Sequence, residues 1–331
     1  MFHIDPDIRK AKTLPSEFYI DERFFALANE KIFARTWQFA RRVADLATLT
    51  PLDLYGEPLL LVRNENGLRC MSNVCTHRGK ILVEDRCDAN LIRCGYHGRR
   101  FSLTGKFLSM PEFEGVENFP SAADDLTAVA VGEAGGFAFV SIDPVAGLSE
   151  FVDDDAMLLL GSGGLKLSST REYRVNAHWA LYCENYLEGF HIPFVHKSLN
   201  EIVDYGSYST DLFRYSSLQT GYDLDGKVAG RYLFIFPNTM FNFYPWGVSV
   251  NIVRPVSMSE TVVEYLTYVS DESLMGEGAG ADLHRVELED EAVVESVQGG
   301  IRSRYYSLGR YSPTREQGTH HFHRLIAEFL D

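Results

Sequence analysis

The sequence predicts an α+β chain in which a small all-β module is inserted near the N-terminus of a larger mixed domain. Three observations carry that expectation. Residues 14–40 read as helical, with Phe24, Phe25, Leu27, Ile32, Phe33 and Trp37 as the apolar positions. Residues from about 42 to 142 break into short strand-like runs. Strong alternation over 208–270 then gives way to helical segments from about 283 to 331.

Each element follows from local pattern. In LLLVRNENGLRCMSNV, Asn64-Glu65-Asn66-Gly67 stands between two apolar runs, which predicts a hairpin. GGFAFVSIDP closes the module with another alternating strand. Residues 144–166 form a Gly- and Asp-rich connection. REYRVNAHWALYCENYLEGFHIPFVH then reads as a strand followed by a helix. RYLFIFPNTMFNFYPWGVSVNIVRPV and TVVEYLTYVS read as long antiparallel strands. There is no internal repeat and no low-complexity tract.

Bulk properties narrow the function. Hydrophobic residues make up 45% and charged residues 23% of the chain, ordinary values for a globular protein. No apolar run approaches the roughly 18–20 residues of a membrane helix. MFHIDPDIRK lacks the basic and apolar regions of a signal peptide, so the expectation is a cytoplasmic protein with no membrane partner. The net charge of −15 argues against nucleic acid. It mildly favours a cationic small molecule, although an acidic surface more often serves solubility. Five cysteines, an odd number, do not read as a disulfide scaffold.

The strongest motif is Cys75-Thr76-His77, then sixteen residues, then Cys94-Gly95-Tyr96-His97-Gly98. One Cys and one His on each of two loops supply two thiolates to one iron and two imidazoles to the other, the ligand set of a Rieske [2Fe–2S] cluster. Zinc is the competing reading, but structural zinc sites usually pair C-x₂₋₄-C with H-x₃₋₅-H. A second constellation is ENYLEGFHIPFVH. Glu188 and His191 are expected at i, i+3 on one helical face, and His196 follows beyond Pro193, which should end or kink the helix. Two imidazoles and one carboxylate leave positions open on Fe(II) for oxygen and substrate.

Both motifs resemble those of one family. CTHRGK and CGYHGRRFSLTGKF are similar to the cluster loops of Rieske proteins. They lack the extra cysteine that respiratory members carry in each loop, since Lys80 and Tyr96 stand there, and so resemble the oxygenase type. Arg99 occupies a place where many oxygenases have Trp. It is expected to alter packing beside the cluster without touching a ligand. ENYLEGFHIPFVH resembles the iron motif of Rieske non-haem iron oxygenase α subunits. The resemblance implies that His191 and His196 are iron ligands and that Glu188 bridges His191 to the cluster ligand His97 of the partner subunit. Glu184, expected on the same helical face as His191, is the second choice for that bridge. Many ring-hydroxylating members have Asp at the bridge, whereas Glu occurs in the branch acting on carnitine and related quaternary amines. VELEDEAVVESVQGG resembles the C-terminal helix of the choline-monooxygenase-like branch, which implies Asp290 as third ligand, with Glu291 and Glu287 as alternatives.

The resemblance covers nearly the whole chain. It implies a Rieske antiparallel β-sandwich domain over 37–145, inserted in a helix-grip (START-like) catalytic domain over 1–36 and 146–331. The implied cofactors are a [2Fe–2S] cluster and a mononuclear Fe(II). No G-x-G-x-x-G follows a strand, so electrons are expected from NAD(P)H through a separate reductase, with or without a ferredoxin. The implied assembly is a homotrimer. Three functions are open: oxygenation beside a quaternary or methylated nitrogen, aromatic-ring oxygenation, and a non-catalytic electron carrier fused to a ligand-binding domain. Tyr232, Phe234, Phe236, Phe241, Phe243, Tyr244 and Trp246 read mainly as core, with a few lining a substrate cavity, where a cation–π cage or a flat ring would fit equally. Cys70, Cys87 and Cys183 read as small buried residues, His178 as packed, and His320, His321 and His323 as surface or capping residues.

Overall fold

The computed structural model describes residues 2–152, 158–159, 164–275, 280 and 283–331. Part of the connection expected at 144–166 therefore lies outside the described residues. The chain divides into two compact units, Ala34–Leu148 and Met1–Phe33 with Ser149–Asp331.

The smaller unit is all-β. Its strands are β1 (Gln38–Arg42), β2 (Leu49–Leu54), β3 (Glu57–Asn64), β4 (Gly67–Ser72), β5 (Ile92–Arg93), β6 (Arg100–Phe101), β7 (Phe107–Ser109), β8 (Ala128–Ala134) and β9 (Phe137–Ser141). One antiparallel sheet runs β1-β9-β8-β4-β3-β2 and a second runs β5-β6-β7. The expected hairpin forms, with Asn64 opposite Gly67 at φ +100° and the Asn64 side chain accepting the Asn66 N–H at 2.9 Å. β3 is apolar on both faces. Leu60 and Val62 pack with Met71, Ile92 and Phe101 around Cys75 and Cys94, while Leu59 and Leu61 pack with Cys70, Ala138 and Val140. That is why LLLV is a continuous run and not an alternating one.

The larger unit opens with α1 (Glu17–Ile20) and α2 (Glu22–Ala28), the latter capped by Asp21. Helical backbone ends at Phe33, short of the expected residue 40. After Phe33 the apolar spacing changes from helical to alternate, with Trp37 and Phe39 both buried at the start of β1. A seven-stranded antiparallel sheet follows, built from β10 (Lys166–Val175), β11 (Ser209–Leu212), β12 (Ser216–Tyr222), β13 (Val228–Ile235), β14 (Thr239–Tyr244), β15 (Gly247–Ser257) and β16 (Glu260–Val269), in the order β10-β16-β15-β14-β13-β12-β11. The helices are α3 (Trp179–Tyr186), α4 (Ile192–Val195), α5 (Lys197–Asn200), α6 (Leu283–Ile301) and α7 (Gln317–Leu330). Among the described residues no helix is long and apolar enough to cross a membrane.

Two packing seams position the site. Phe322 on α7 meets Phe234, Phe236 and Trp179 at ring separations of 5.5, 5.9 and 5.8 Å. α3 is tied to α6 by hydrogen bonds along its length. The His178 N–H donates to Gln298 Oε1 at 2.7 Å, the Tyr182 hydroxyl to Glu287 Oε2 at 2.6 Å, and Asn185 Nδ2 to Asp290 Oδ1 at 2.6 Å. His178 is fully buried, as expected of a packed residue, and its Nδ1 also caps α3.

Two readings of minor residues are corrected. His320 and His323 are buried, because α7 packs its histidine face on the N-terminal segment. His320 Nε2 lies 2.8 Å from the Asp5 carbonyl, and His323 Nδ1 lies 2.6 Å from the Tyr311 hydroxyl. Cys87 is exposed, in a short segment whose backbone N–H and C=O both pair with Leu49, while Cys70 and Cys183 are buried as expected.

Candidate metal centres

The first centre is built by two loops with one hydrogen-bond pattern. In the first, the Cys75 N–H donates to Lys80 O at 2.8 Å and the Gly79 N–H to Cys75 O at 2.9 Å. In the second, the Cys94 N–H donates to Arg99 O at 2.8 Å and the Gly98 N–H to Cys94 O at 3.1 Å. Each loop thus closes five residues after its cysteine through a glycine of positive φ, +71° at Gly79 and +75° at Gly98. A Cβ at Gly79 would meet nothing within 4 Å, so backbone conformation and not space demands glycine there. Buried Asn73 braces the first loop, exchanging hydrogen bonds of 2.8 and 3.0 Å with the Val83 backbone.

These loops bring Cys75, His77, Cys94 and His97 together. The His77 and His97 rings lie 4.8 Å apart, both cysteines are buried and free, and His97 Nδ1 is buried with no hydrogen-bond partner. Burial raises the Cys75 thiol. At Cys94 burial is outweighed by the N–H of Tyr96, the Cys75 thiol and the N–H of His97, so its pKa is lowered. Two thiols side by side and an orphaned imidazole nitrogen suit a cluster bound by two Cys and two His. Arg99, expected to touch no ligand, does so through its backbone, since its carbonyl accepts the Cys94 N–H.

The second centre is assembled from distant segments. One His191, His196 and Asp290 ligand atom each lie within 4.8 Å of one another. Asp290 Oδ1 is 3.0 Å from His196 Nε2 and 3.5 Å from His191 Nε2. On the far side of each ring the Nδ1 faces another carboxylate, Glu188 Oε1 at 2.7 Å for His191 and Glu289 Oε2 at 2.8 Å for His196. With Nδ1–H donating outward, both Nε2 lone pairs converge on Asp290, the arrangement in which imidazoles bind a metal. Burial opposes a charged His196, but Asp290 and Glu289 outweigh it and raise its pKa. The hydrogen bond from His196 holds Glu289 low. A ring with acceptors at both nitrogens calls for positive charge in the middle, as a proton or a metal ion. The residues therefore fit a divalent iron.

The local backbone differs from expectation. α3 ends at Tyr186, so Glu188 and His191 do not share an α-helix. Gly189 interrupts the helix, and Glu188 Oε2 accepts the N–H groups of Phe190 and His191 in the resulting turn. Pro193 opens the next helix, α4, where its missing N–H costs nothing. Glu184 turns away from His191 toward Tyr19, whose hydroxyl donates to it at 2.7 Å, so it is not placed as a bridge. Glu287, an alternative third ligand, accepts hydrogen bonds from Tyr182 and Tyr265 instead. Glu291 does not group with the two histidines among the described residues. Sequence reasoning missed Asn185 and Glu289, which hold Asp290 and His196. Glu289 stood in an acidic run that reads as a solvated face, and Asn185 gives no signal without the fold.

The centre opens into a cleft with a cavity volume of about 120 Å³. Tyr182, Tyr186, Tyr208, Tyr232, Tyr244 and Tyr265 line it, and among the described residues no Lys or Arg does. Of the seven aromatics singled out in sequence, Tyr232 and Tyr244 reach it, while Phe234, Phe236, Phe241 and Trp246 are buried elsewhere. Burial, with Asp290 and Glu291 nearby, holds the Glu287 carboxyl well above the usual range despite its bond from Tyr182.

Residues 36–120 match the Rieske [2Fe-2S] domain and residues 210–331 the ring hydroxylating alpha subunit catalytic domain. The chain is 30% identical to the chloroplastic choline monooxygenase of Arabidopsis thaliana, over 97% of this chain and 84% of that one. It belongs to the Rieske oxygenases. The carnitine monooxygenase oxygenase subunit of Escherichia coli K12 is also 30% identical to this Rieske oxygenase, over 97% of it and 94% of the relative. The solved structure of a quaternary ammonium Rieske monooxygenase, described for carnitine oxidation by gut microbiota and inter-subunit electron transfer, superposes with a TM-score of 0.84 at 27% identity, covering 99% of this chain and 97% of that one. This Rieske oxygenase is thus an oxidoreductase with a [2Fe–2S] cluster and a mononuclear iron, which sets aside both zinc and a non-catalytic carrier.

Proposed function

We propose that this Rieske oxygenase hydroxylates a carbon attached to a quaternary or methylated nitrogen, so that the C–N bond then breaks and an aldehyde leaves. The observation that carries the reading is the tyrosine-walled cleft, without a Lys or Arg among the described residues, opening on His191, His196 and Asp290. Ring faces attract a desolvated cation, and the acidic lining at Glu188 and Asp290 has the matching sign. The relatives named as choline and carnitine monooxygenases support it.

In this reading Cys75, His77, Cys94 and His97 hold the cluster, and His191, His196 and Asp290 hold the iron. When bound, the cluster supplies single electrons and the iron activates oxygen for insertion into a C–H bond. The chain's own groups prepare the site. Glu188 and Glu289 hold their histidines in the Nδ1–H tautomer, Asn185 orients Asp290, and the tyrosine rings seat the headgroup and limit water around it. Glu188 also serves as the link from His191 to His97 of the partner subunit, in a cytoplasmic homotrimer fed by a separate NAD(P)H reductase. Residues 37–145 form the cluster domain, and 1–36 with 146–331 the catalytic one. The inter-subunit electron transfer described for the quaternary ammonium monooxygenase supports this assembly.

The test is a single turnover of chemically reduced protein with oxygen and a mixture of betaine-type amines and aromatic acids, read by mass spectrometry. A demethylated or cleaved amine is expected. A hydroxylated ring with untouched amines would overturn the substrate class.

A further inference from the structure

Arg99 is a buried charge where its surroundings would accept an apolar side chain. It is 2% exposed, and its guanidinium lies 4.8, 5.5 and 5.7 Å from the ring centres of Phe107, Phe119 and Phe101. Its Nε–H is buried without a hydrogen-bond partner. A well-packed apolar residue often replaces a buried ion pair at no loss of stability. Stability alone therefore does not explain the charge.

Its connections are to the two cluster loops. The Arg99 carbonyl accepts the Cys94 N–H at 2.8 Å, within the second loop. Nη2 donates to Asp124 Oδ1 at 2.6 Å and lies 3.3 Å from the Asp124 carbonyl. That same carbonyl accepts the hydroxyl of Thr76 at 2.9 Å, and Thr76 stands between the ligands Cys75 and His77 of the first loop. Asp124 is itself fixed, since Oδ2 accepts the Ser121 N–H at 2.7 Å and the Ser121 hydroxyl at 3.1 Å. A second chain of contacts runs through rings, from Phe119 to Phe113 at 4.9 Å and from Phe113 to His77 at 5.5 Å. One guanidinium–carboxylate pair thus spans both loops, in a module whose loops have no cysteine pair to clamp them.

We propose that the Arg99–Asp124 pair is a charged staple across the two cluster loops whose two members pull the reduction potential of the [2Fe–2S] cluster in opposite directions. Reduction adds one electron to the cluster, with no bond made or broken. A fixed cation nearby favours the more negative reduced form and a fixed anion opposes it, and the low-dielectric surroundings strengthen both effects. The two charges largely offset each other, so removing one shifts the potential and removing both restores most of it. Both are positioning residues, since neither is a ligand through its side chain.

The opposite signs make the test. The midpoint potential of the cluster-loaded full-length protein is measured by redox titration, followed by visible absorption and electron paramagnetic resonance. Arg99→Gln leaves the Asp124 carboxylate unpaired and moves the potential negative. Asp124→Asn leaves the guanidinium unpaired and moves it positive, while the Thr76 bond survives because it uses the backbone carbonyl. The double variant returns toward the wild-type value, and Arg99→Lys stays near it. A merely structural pair would shift both single variants the same way or neither, and either result overturns the proposal. If Arg99→Gln holds no cluster, Asp124→Asn decides alone: a positive shift supports the staple, and no shift or a negative one removes it.

Discussion

The two metal centres are built in opposite ways. The cluster centre is a pair of short loops that repeat one hydrogen-bond pattern, each closed within five residues of its cysteine. The mononuclear centre joins a turn at 188–196 to a helix that begins at Leu283, and nothing local holds Asp290 beside His196. One centre is encoded by backbone conformation, the other by the packing of α3 against α6. The first should tolerate distant changes that the second does not.

The largest expected effects separate the centres outright. Asp290→Ala or His191→Ala is expected to lose the mononuclear iron and more than about 100-fold of the turnover, beyond the 10–100-fold typical of groups behind a ligand. The visible spectrum of the cluster should be unchanged, as iron analysis beside absorption would show. Loss of the cluster together with the mononuclear iron would mean the centres are not independent. Glu188→Gln keeps an acceptor for His191 Nδ1 but removes the charge. Reductase-driven turnover should fall by about 100-fold with full iron content, and retained turnover would remove Glu188 from the electron path.

Smaller effects sharpen the comparison. Glu289→Gln should weaken iron retention against a chelator by about 10-fold or more and leave the cluster in place. Gly318→Ala probes packing directly, because a Cβ there would stand 2.4 Å from the carbonyl oxygen of Leu187, the residue before Glu188. It should destabilise the protein by about 1–3 kcal/mol in a thermal melt and loosen the mononuclear iron before the cluster. Equal loosening of both would defeat the contrast drawn here. Cys87→Ser, at an exposed thiol outside both centres, should stay within about 0.5 kcal/mol of the parent with an unaltered cluster spectrum.

This contrast also decides what could be read from sequence. Cys75, His77, Cys94 and His97 were legible because the code that joins them is local, and the glycines that close the loops sit in the motif itself. The long strands were legible from alternation, which the seven-stranded sheet preserves. Asp290 was reached through resemblance alone, since four acidic residues on one helical turn look alike until something packs against each. The same limit hid Asn185 and Glu289, whose partners are about a hundred residues away. The misread helix at Glu188 has a simple cause. Spacing of i, i+3 fits a tight turn as well as a helix, and the carboxylate reaches His191 in either.

Helix α6 presents Glu287, Glu289 and Asp290 to three different neighbours: the hydroxyls of Tyr182 and Tyr265, the outer nitrogen of His196, and the space between the two imidazoles. Successive residues of a helix point about 100° apart. Adding or deleting one residue between Leu283 and Glu287 would therefore turn all three carboxylates about 100° away from their targets at once. The number of residues in this helix up to Asp290 therefore matters to the centre as much as the identity of Asp290.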